Sequence, residues 1–303
     1  MTTQERIEWL KGRQTGIGGS DVAAILGLSK WKSPLDIYNE KIAETPVEES
    51  NASIEWGNRL EPVIRQKYAD DTGLTVTIPK ETFRHPEHPF MIANVDGLLP
   101  DGSVLEIKTA RSGADWGEEG TDEIPEYYLT QVQHYMTVIG AKRCDVAVLI
   151  GASDFRIYHV DFDPEVAAML IEEEKAFWQR VVDRNPPPPR TYAEASAAFP
   201  RSKSQAVEAT DAILHDAAEL EAVNHEIEEL KSRKEQLQGN ITAFMGESDT
   251  LAVAGKTIAT WKTSKPRVTF DSATFKVKHP DLYNQYLKEG AANRRFLLKF
   301  KSE

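Results

Sequence analysis

A polar turn and the strand-like segment after it hold three residues that could do chemistry together. Asp96 lies just before the turn at residues 100–103, and Glu106 and Lys108 lie in the run 104–108. Side chains alternate along a strand, so Glu106 and Lys108 share one side while the apolar residues between them face a core. An Asp placed just before a hairpin turn can come alongside that pair. The spacing therefore predicts a cluster of two carboxylates and one lysine.

Such a cluster suits metal-assisted hydrolysis of a phosphodiester. Two carboxylates a few ångströms apart repel each other unless a divalent cation neutralises them, and hard oxygen ligands favour Mg²⁺ or Mn²⁺. A neighbouring lysine can stabilise negative charge that grows on the phosphoryl oxygens, or orient the attacking water. The simpler interpretation is a strand with an ordinary charged side that faces solvent.

A glycine-rich segment near the N-terminus predicts an anion site. Residues 13–27 read RQTGIGGSDVAAILG, a loop that leads into a helix beginning near Ser20. Free backbone N–H groups at a helix N-terminus, together with the guanidinium of Arg13, can bind a phosphate. The alternative is a helix that Ser20 caps, and the Ser20 hydroxyl could serve both purposes.

Two further polar segments lie on predicted helices. The segment WGNRLE opens an amphipathic helix, and its Glu61 would ordinarily be a first-turn residue favoured by the helix dipole. In the segment YLTQVQHYM, Gln131 and Tyr135 share a helix face one turn apart. On pattern alone this polar face is solvated, and His134 is a hydrogen-bonded or surface histidine rather than a general base.

Together these four segments resemble the PD-(D/E)XK nucleases and, more closely, the YqaJ-type viral recombinases, a family of lambda-exonuclease-like proteins. The segments occur in the order found in the family, and Val95 stands where the signature usually has proline. The resemblance covers residues 10–180. It implies an α/β core of the restriction-endonuclease-like kind, in which helices flank a mixed central sheet and the acidic site lies at one edge of that sheet.

The resemblance also implies roles for individual residues. Arg13 and Ser20 would lie in a pocket for the terminal 5′-phosphate of DNA. Glu61 would point into the metal site, and Gln131 would lie beside the metals and help to hold the scissile phosphate or the attacking water. Lys108 would supply positive charge near the nucleophile. The implied metal ligands are all oxygen donors: the carboxylates of Asp96 and Glu106 and the backbone carbonyl of Ile107.

The chain changes character after this core. Four consecutive prolines at 186–189 cannot continue a helix and favour an extended spacer. We predict an exonuclease core at residues 1–184, a proline-rich linker at 185–204, a heptad helix at 205–246 and a small basic ββαβ module at 247–303.

An apolar repeat of seven residues predicts the long, coiled-coil-like helix. The seam could mediate oligomerisation or bind a partner, or the helix could pack on its own chain. Lys234 falls in the first of the two rows that make up the seam. The apolar members of the two rows are Ile213, Leu220, Ile227 and Ile241, and Val223, Leu230, Leu237 and Phe244.

The last module is predicted from a hairpin with Gly255 at its turn, a helix over Ser272–Glu289 and a final strand over Arg295–Phe300. Its basic side chains could bind the DNA backbone or an acidic partner, or they could be ordinary surface residues. They are Lys256, Lys262, Lys265, Arg267, Lys276, Lys278, Arg294, Arg295 and Lys299.

The net charge of the whole chain is a poor guide to whether the protein binds nucleic acid. The chain has 303 residues and a net charge of −12, which argues against a partner as acidic as nucleic acid. However, residues 250–303 carry 11 Lys and Arg against 4 Asp and Glu. Contact with DNA would therefore be local and dependent on divalent metal.

Composition is that of a soluble globular protein, with 40% hydrophobic and 28% charged residues. Cys144 is the single cysteine, which excludes an internal disulfide and a cysteine-rich metal site and predicts an unpaired buried thiol. Apolar runs fall short of the roughly 18 residues that a spanning helix needs, and the N-terminus is too polar for a signal peptide. We therefore expect no membrane partner and a place in the cytoplasm of a bacterial or phage-infected cell.

Together with these observations, the family resemblance implies a Mg²⁺-dependent deoxyribonuclease, with Mn²⁺ able to substitute. It would digest duplex DNA from a 5′ end and leave 3′ single strands for a single-strand annealing protein in phage-type recombination. The heptad seam is compatible with a homo-oligomer. Two alternatives stay open: a PD-(D/E)XK endonuclease, and a DNA-binding or scaffold protein that acts through the coiled coil and the basic tail.

Overall fold

The chain divides into two compact units at Ala195 and Ser196. The computed structural model describes residues 3–46, 51–288, 290 and 294–300. The helices of the first unit are α1 (Thr3–Gln14), α2 (Gly19–Leu26), α3 (Pro34–Ile42), α4 (Ala52–Thr72), α5 (Glu126–Ile139), α6 (Pro164–Val182) and α7 (Tyr192–Ala198), the last of which crosses the division. Its strands are β1 (Ile17–Gly18), β2 (Phe83–Arg84), β3 (Met91–Ala93), β4 (Gly97–Leu98), β5 (Val104–Ala110), β6 (Arg143–Ile150) and β7 (Asp154–Asp161).

A four-stranded mixed sheet in the order β4-β5-β6-β7 forms the centre of the first unit. Strands β5 and β6 are parallel, and the two outer pairs are antiparallel. Parallel neighbours require a crossover connection, and α5 lies in that connection. A smaller sheet, β1-β3-β2, belongs to the same unit. The mixed sheet flanked by helices confirms the predicted α/β fold class.

Both faces of β5 are covered. Leu105 and Ile107 pack with the apolar side of α4, and Val104 belongs to the cluster that contains the apolar side of α5. Because side chains alternate along a strand, Glu106 and Lys108 fall on the side of α5. Glu106 is 3% exposed, so the interpretation of this strand side as an ordinary solvated one is wrong for Glu106.

A second apolar core joins α2, α3 and α6 and holds the glycine-rich segment in place. Helix α2 also packs against α5, and the approach is close at Gly19. A β-carbon at Gly19 would stand 2.5 Å from Cε1 of Tyr135, which is less than any tolerable contact. The glycine therefore lets the segment that carries Arg13 and Ser20 lie beside the helix that carries Gln131.

The second unit contains a long helix, α8 (Asp211–Met245), a hairpin of β8 (Thr250–Val253) and β9 (Lys256–Thr260), and two short helices, α9 (Ser272–Lys278) and α10 (Pro280–Gln285). The predicted hairpin is present, with Gly255 at φ 81° in its turn. A single helix over Ser272–Glu289 is wrong. Two helices replace it because Pro280, the first residue of α10, has no backbone N–H to donate to a continuous helix. The predicted end of that helix, Glu289, lies outside the described residues.

The final strand of the predicted ββαβ module is also wrong. Residues 294–300 are described and form no strand. In the described part of this unit, β8 and β9 pair with each other. A strand needs a neighbour for its backbone N–H and C=O groups, and alternation of apolar residues cannot supply one.

Two further features of composition have structural counterparts. Cys144 is buried and unpaired, as predicted. The helices in the described residues include none that is long and apolar enough to cross a membrane.

Candidate active site

The site begins at Asp96, the residue just before β4. Strand β4 pairs with Val104 and Leu105, the first residues of β5. Past this pairing, the backbone N–H of Ile107 donates to Asp96 Oδ2 at 2.7 Å. The short strand therefore places the Asp96 carboxylate at the edge of β5, as the sequence predicts for an Asp before a hairpin turn.

A compact hydrogen-bond network joins β5 to α5. Lys108 Nζ lies 2.6 Å from Glu106 Oε1 and donates to Gln131 Oε1 at 3.0 Å. Gln131 Nε2 donates to Glu106 Oε1 at 2.7 Å and to the Tyr135 hydroxyl at 2.9 Å. Lys108 Nζ also lies 4.5 Å from the centre of the Tyr128 ring. The structure thus brings the predicted strand pair and Gln131 into one cluster.

Negative charge in this cluster exceeds what its own cations balance. Burial, followed by the neighbouring Glu106 carboxylate, raises the pKa of Asp96 well above its ordinary value, and Glu61 adds to the effect. Burial, the largest single effect, would lower the pKa of Lys108, but Glu106, Tyr128 and Asp96 together outweigh burial and raise it. Lys108 is therefore protonated, and Asp96 still resists ionisation until further positive charge arrives.

One buried oxygen marks where that charge could bind. Glu106 Oε2 has no hydrogen-bond partner among the described residues, although buried polar atoms are nearly always satisfied. Among those residues no three His, Cys, Asp or Glu side chains converge on one point as a complete metal cage. Two carboxylates and a backbone carbonyl nonetheless suit Mg²⁺, which is commonly bound through one or two carboxylates and keeps several waters. The donor set therefore fits a hydrated divalent cation.

Glu61 reaches the same cleft from α4. It lies in the middle of that helix, not in its first turn, where the acidic residue is Glu55. Arg65, one turn further on, forms an ion pair with Glu61, and Arg65 Nε donates to the backbone carbonyl of Asp96 at 3.2 Å. Sequence reasoning missed Arg65, although its spacing of four residues from Glu61 was a usable signal.

The glycine-rich segment forms a second charged cluster. Arg13 Nη2 donates to Ser20 Oγ at 2.8 Å and lies 3.3 Å from Asp21 Oδ1. Lys41 Nζ, from α3, lies 2.6 Å from Asp21 Oδ2. Gly18 is the N-cap of α2, and its N–H donates to Asp21 Oδ2 at 3.0 Å. The alternative in which Ser20 caps the helix is therefore wrong, and its exposed hydroxyl takes part in the Arg13 contact instead.

Asp21 has the opposite electrostatics to Asp96. Burial alone would raise the pKa of Asp21, but Lys41 and Arg13 together lower it to about 2. Lys41 is the nearer cation, and its side chain is 4% exposed, whereas that of Arg13 is 34% exposed. Arg13 therefore keeps an accessible face. Lys41 follows twenty residues after Asp21 on another helix, and sequence reasoning missed this pair.

Both clusters line one cleft of about 950 Å³ within the first unit. Its wall includes every side chain that the sequence singles out for catalysis or phosphate binding, together with residues that it did not single out. The predicted members are Arg13, Ser20, Glu61, Asp96, Glu106, Lys108 and Gln131. Further charged residues on the wall are Lys32, Glu40, Lys41, Lys80 and Glu81.

His134 lies outside this wall and is fully buried. Its Nδ1 is 2.8 Å from Glu174 Oε1, and its Nε2 is 2.9 Å from the carbonyl oxygen of Ile92. His134 is thus a hydrogen-bonded core residue, one of its two predicted environments. The polar face of α5 is not solvated, because Gln131, Gln133 and His134 are all buried.

Comparison with known proteins agrees with this geometry. A mixed sheet whose edge carries a carboxylate pair and a lysine defines the PD-(D/E)XK nuclease fold. Residues 8–142 match the YqaJ-like viral recombinase domain. The protein YqaJ of Bacillus subtilis (strain 168), itself uncharacterized, is 33% identical over 308 residues, which cover 97% of this chain and 94% of that protein. The chain belongs to the family of YqaJ-like viral recombinases.

A solved structure supports the fold. The crystal structure of an alkaline exonuclease, LHK-Exo, from Laribacter hongkongensis matches with a TM-score of 0.51 and 24% sequence identity. The match covers 64% of this chain and 99% of that chain. At this level of identity the match concerns the fold, so the matched part of the chain has the same fold as LHK-Exo.

Proposed function

We propose that the protein is a Mg²⁺-dependent DNA exonuclease that digests one strand of a duplex from its 5′ end. The observation that carries this proposal is the carboxylate pair of Asp96 and Glu106, which has a charged lysine beside it and one buried oxygen, Glu106 Oε2, without a partner among the described residues. Membership of the YqaJ-like family supports the same reaction class. The products would be 3′ single strands, which an annealing protein could use in phage-type recombination.

Several residues of the chain would have separate roles in the reaction. Asp96, Glu106 and the Ile107 carbonyl would hold the cation, and Mn²⁺ could replace Mg²⁺ there. The bound cation supplies Lewis-acid stabilisation of phosphoryl oxygens and a more acidic water. Gln131 is fixed by three hydrogen-bond contacts, so it can orient the scissile phosphate or the attacking water. Glu61 would orient that water from the opposite wall.

Lys108 has the geometry of a charge stabiliser. Its ammonium is held between Glu106 Oε1 and Gln131 Oε1, and the raised pKa keeps it protonated. A fixed positive charge beside the reacting phosphate favours the transition state, in which negative charge on the phosphoryl oxygens grows, over the ground state. The other end of the cleft would select the DNA terminus. Arg13, with one accessible face, and the exposed Ser20 hydroxyl would bind the 5′-phosphate.

A panel of DNA substrates tests the proposal. Linear duplexes with a 5′-phosphate, linear duplexes with a 5′-hydroxyl and a covalently closed circle are each incubated with Mg²⁺ or with EDTA. Labels on the 5′ or 3′ end of each strand report the polarity. We expect Mg²⁺-dependent release of nucleotides from 5′ ends, slower digestion of 5′-hydroxyl ends, an intact circle and no product in EDTA.

Each other outcome contradicts a defined part of the proposal. Cleavage of the circle would replace the exonuclease with an endonuclease on the same fold. Release from 3′ ends would reverse the polarity. Tight binding of DNA without a Mg²⁺-dependent product would leave a binding or scaffold protein. Lys108→Ala, with the fold verified by circular dichroism, serves as the inactive control, and near-normal digestion by this variant would rule out the assigned site.

A further inference from the structure

Helix α8 carries an apolar seam whose side chains are largely exposed among the described residues. It runs over 35 residues from Asp211 to Met245. A soluble helix normally buries its apolar stripe against another element. The seam residues of α8 nonetheless remain partly open, with exposed fractions from 37% for Leu220 to 81% for Phe244. A long seam of this kind is typical of a helix that pairs with a second helix.

Two charged residues interrupt the seam, and they suggest what covers it. If Ile213 is placed at an a position, Lys234 is the charged residue among the a positions and Asp216 the charged residue among the d positions. Charges in the seam of a coiled coil commonly decide alignment, since an uncompensated one is costly to bury. The arrangement that covers the seam should therefore bring Lys234 and Asp216 together.

An antiparallel pair of α8 helices does this. In an antiparallel pair, each a residue of one helix packs beside a d residue of the other. When Lys234 is set beside the partner's Asp216, every other a and d residue between Ile213 and Leu237 meets an apolar counterpart. The apolar layers are Ile213 with the partner's Leu237, Leu220 with the partner's Leu230, and Val223 with the partner's Ile227.

The flanking positions favour the same alignment at its outer ends. In an antiparallel pair, g positions face g positions, so Glu219 lies opposite the partner's Arg233. These attractive contacts occur twice because of the two-fold symmetry. At the centre, Glu226 faces the partner's Glu226, which is the one repulsive flanking contact.

Other alignments handle the charges less well. A parallel, in-register pair would set Lys234 against Lys234 and Asp216 against Asp216, although Glu226 would then face the partner's Lys231. An antiparallel pair displaced by one heptad would add Phe244 to the seam. It would, however, place each seam charge against an apolar side chain, which leaves the charge without compensation.

We propose that α8 mediates dimerisation of the full chain as an antiparallel coiled coil, with Lys234 paired to the partner's Asp216. The occupant of the seam is thus a second copy of this protein. The inference does not depend on the nuclease activity, because it rests on residues of α8 alone.

Charge exchange in the full-length protein tests the alignment. Sedimentation equilibrium without DNA, in EDTA, measures the dissociation constant of a dimer with twice the 34.0 kDa mass of the chain. Lys234→Asp and Asp216→Lys should each weaken the dimer by about tenfold or more, because each sets like charges together in two layers. The double variant should restore the wild-type constant to within about threefold, since it re-forms both pairs.

Matched variants exclude trivial explanations. The double variant has the wild-type net charge, so rescue cannot come from a change in overall charge. Glu229→Lys changes the net charge as Asp216→Lys does, but on the outer face of α8, and should leave the constant unchanged. Circular dichroism verifies that each variant keeps its helix content.

Glu226→Gln separates the alignments. In the proposed pair it removes the central repulsion and should tighten the dimer by about twofold to threefold. In a parallel pair, or in the pair displaced by one heptad, Glu226 faces Lys231 or Arg233, so the same variant would loosen the dimer. Four results would each overturn the proposal. The wild type could be a monomer at about 100 μM, or the single exchanges could leave the dissociation constant of the dimer unchanged. The double variant could fail to restore the constant, or Glu226→Gln could weaken the dimer.

Discussion

Two carboxylates of the first unit have opposite electrostatics. Lys41 Nζ lies 2.6 Å from Asp21 Oδ2, and Arg13 Nη2 lies 3.3 Å from Asp21 Oδ1. These two cations lower the pKa of Asp21 to about 2. Asp96 accepts a hydrogen bond from the backbone N–H of Ile107. It lies beside the carboxylate of Glu106, and its pKa is raised. Burial acts to raise the pKa of both side chains, so burial alone does not distinguish them. The difference lies in whether the protein supplies the countercharge itself.

That difference separates a structural acid from an acid that can bind a ligand. The Asp21 cluster contains its own cations and helps to hold α1, α2 and α3 together. The Asp96 cluster contains Lys108 but less positive charge than its carboxylates need, and its buried oxygen, Glu106 Oε2, has no partner in the described chain. A cluster of the second kind gains stability when a cation arrives, whereas a cluster of the first kind has nothing to gain.

The largest effect should come from removing the under-compensated charge. Glu106→Gln keeps the shape of the side chain and removes one metal ligand. We expect hydrolysis of linear duplex DNA to fall by on the order of 1,000-fold. Because this change also breaks the ion pair between Glu106 and Lys108, the melting temperature of each protein in EDTA serves as its own reference. Mg²⁺ should raise the melting temperature of the wild type and leave that of the variant unchanged, since ligand binding to the folded state stabilises it.

Glu81→Gln is the matched control for Glu106→Gln, because Glu81 lines the same cleft but is exposed. It should retain activity within about twofold and keep the Mg²⁺-dependent rise in melting temperature. If the melting temperature of Glu106→Gln still rises with Mg²⁺, the carboxylate pair does not hold the cation. The electrostatic difference between the two clusters would then not mark a cation site.

The second effect concerns stability and its dependence on pH. A folded-state pKa of about 2 for Asp21, against an ordinary value of 3.8, means that its charge stabilises the fold above pH 3.8. That contribution is lost as the pH falls through about 2. Asp21→Asn should therefore lower the free energy of unfolding at pH 7 by about 2 kcal/mol or more. Urea titrations should show the deficit narrowing below pH 4.

Asp115→Asn serves as the control for Asp21→Asn. Asp115 pairs with Lys30 on the surface, where its side chain is 57% exposed. Its loss should change the free energy of unfolding by less than about 1 kcal/mol, since solvent screens such pairs. An Asp21→Asn variant as stable as the wild type at pH 7 would contradict the view that this cluster is electrostatically complete.

The smallest of the three effects concerns the accessible face of Arg13. Arg13→Ala should reduce the preference for 5′-phosphate over 5′-hydroxyl ends by about tenfold, because a charge-assisted contact with the phosphate is lost. The Mg²⁺-dependent rise in melting temperature should persist, since the carboxylate pair is untouched. Arg59→Ala, which removes an exposed guanidinium from α4, should keep the preference. An unchanged preference in Arg13→Ala would remove the 5′-phosphate role.

Local pattern predicted the parts of the site that lie within one element or across one turn. Alternation on β5 put Glu106 and Lys108 on one side, and helical spacing put Gln131 and Tyr135 on one face. The turn after Asp96 brought that residue back to β5. Each of these relations depends on a few consecutive residues, whose geometry follows from a strand, a helix or a hairpin.

Pattern failed where the environment came from a distant segment. The polar face of α5 looks solvated in sequence, yet α2 and the central sheet cover it. The strand expected at residues 295–300 has the right residues but no neighbouring strand among those described. Arg65 lies outside the segments that carry the family resemblance, although its spacing from Glu61 would have shown it.

The pattern of residues along the chain is enough to show which carboxylates, lysine and glutamine could act together, and it also shows the repeat that marks α8. Folding settles which of these acids, Asp21 or Asp96, receives enough positive charge. Lys41 reaches Asp21 from another helix, and no comparable cation reaches the free oxygen of Glu106 within the described residues. The pKa of a buried acid depends on every charge within a few ångströms, and folding, not spacing along the chain, brings those charges together.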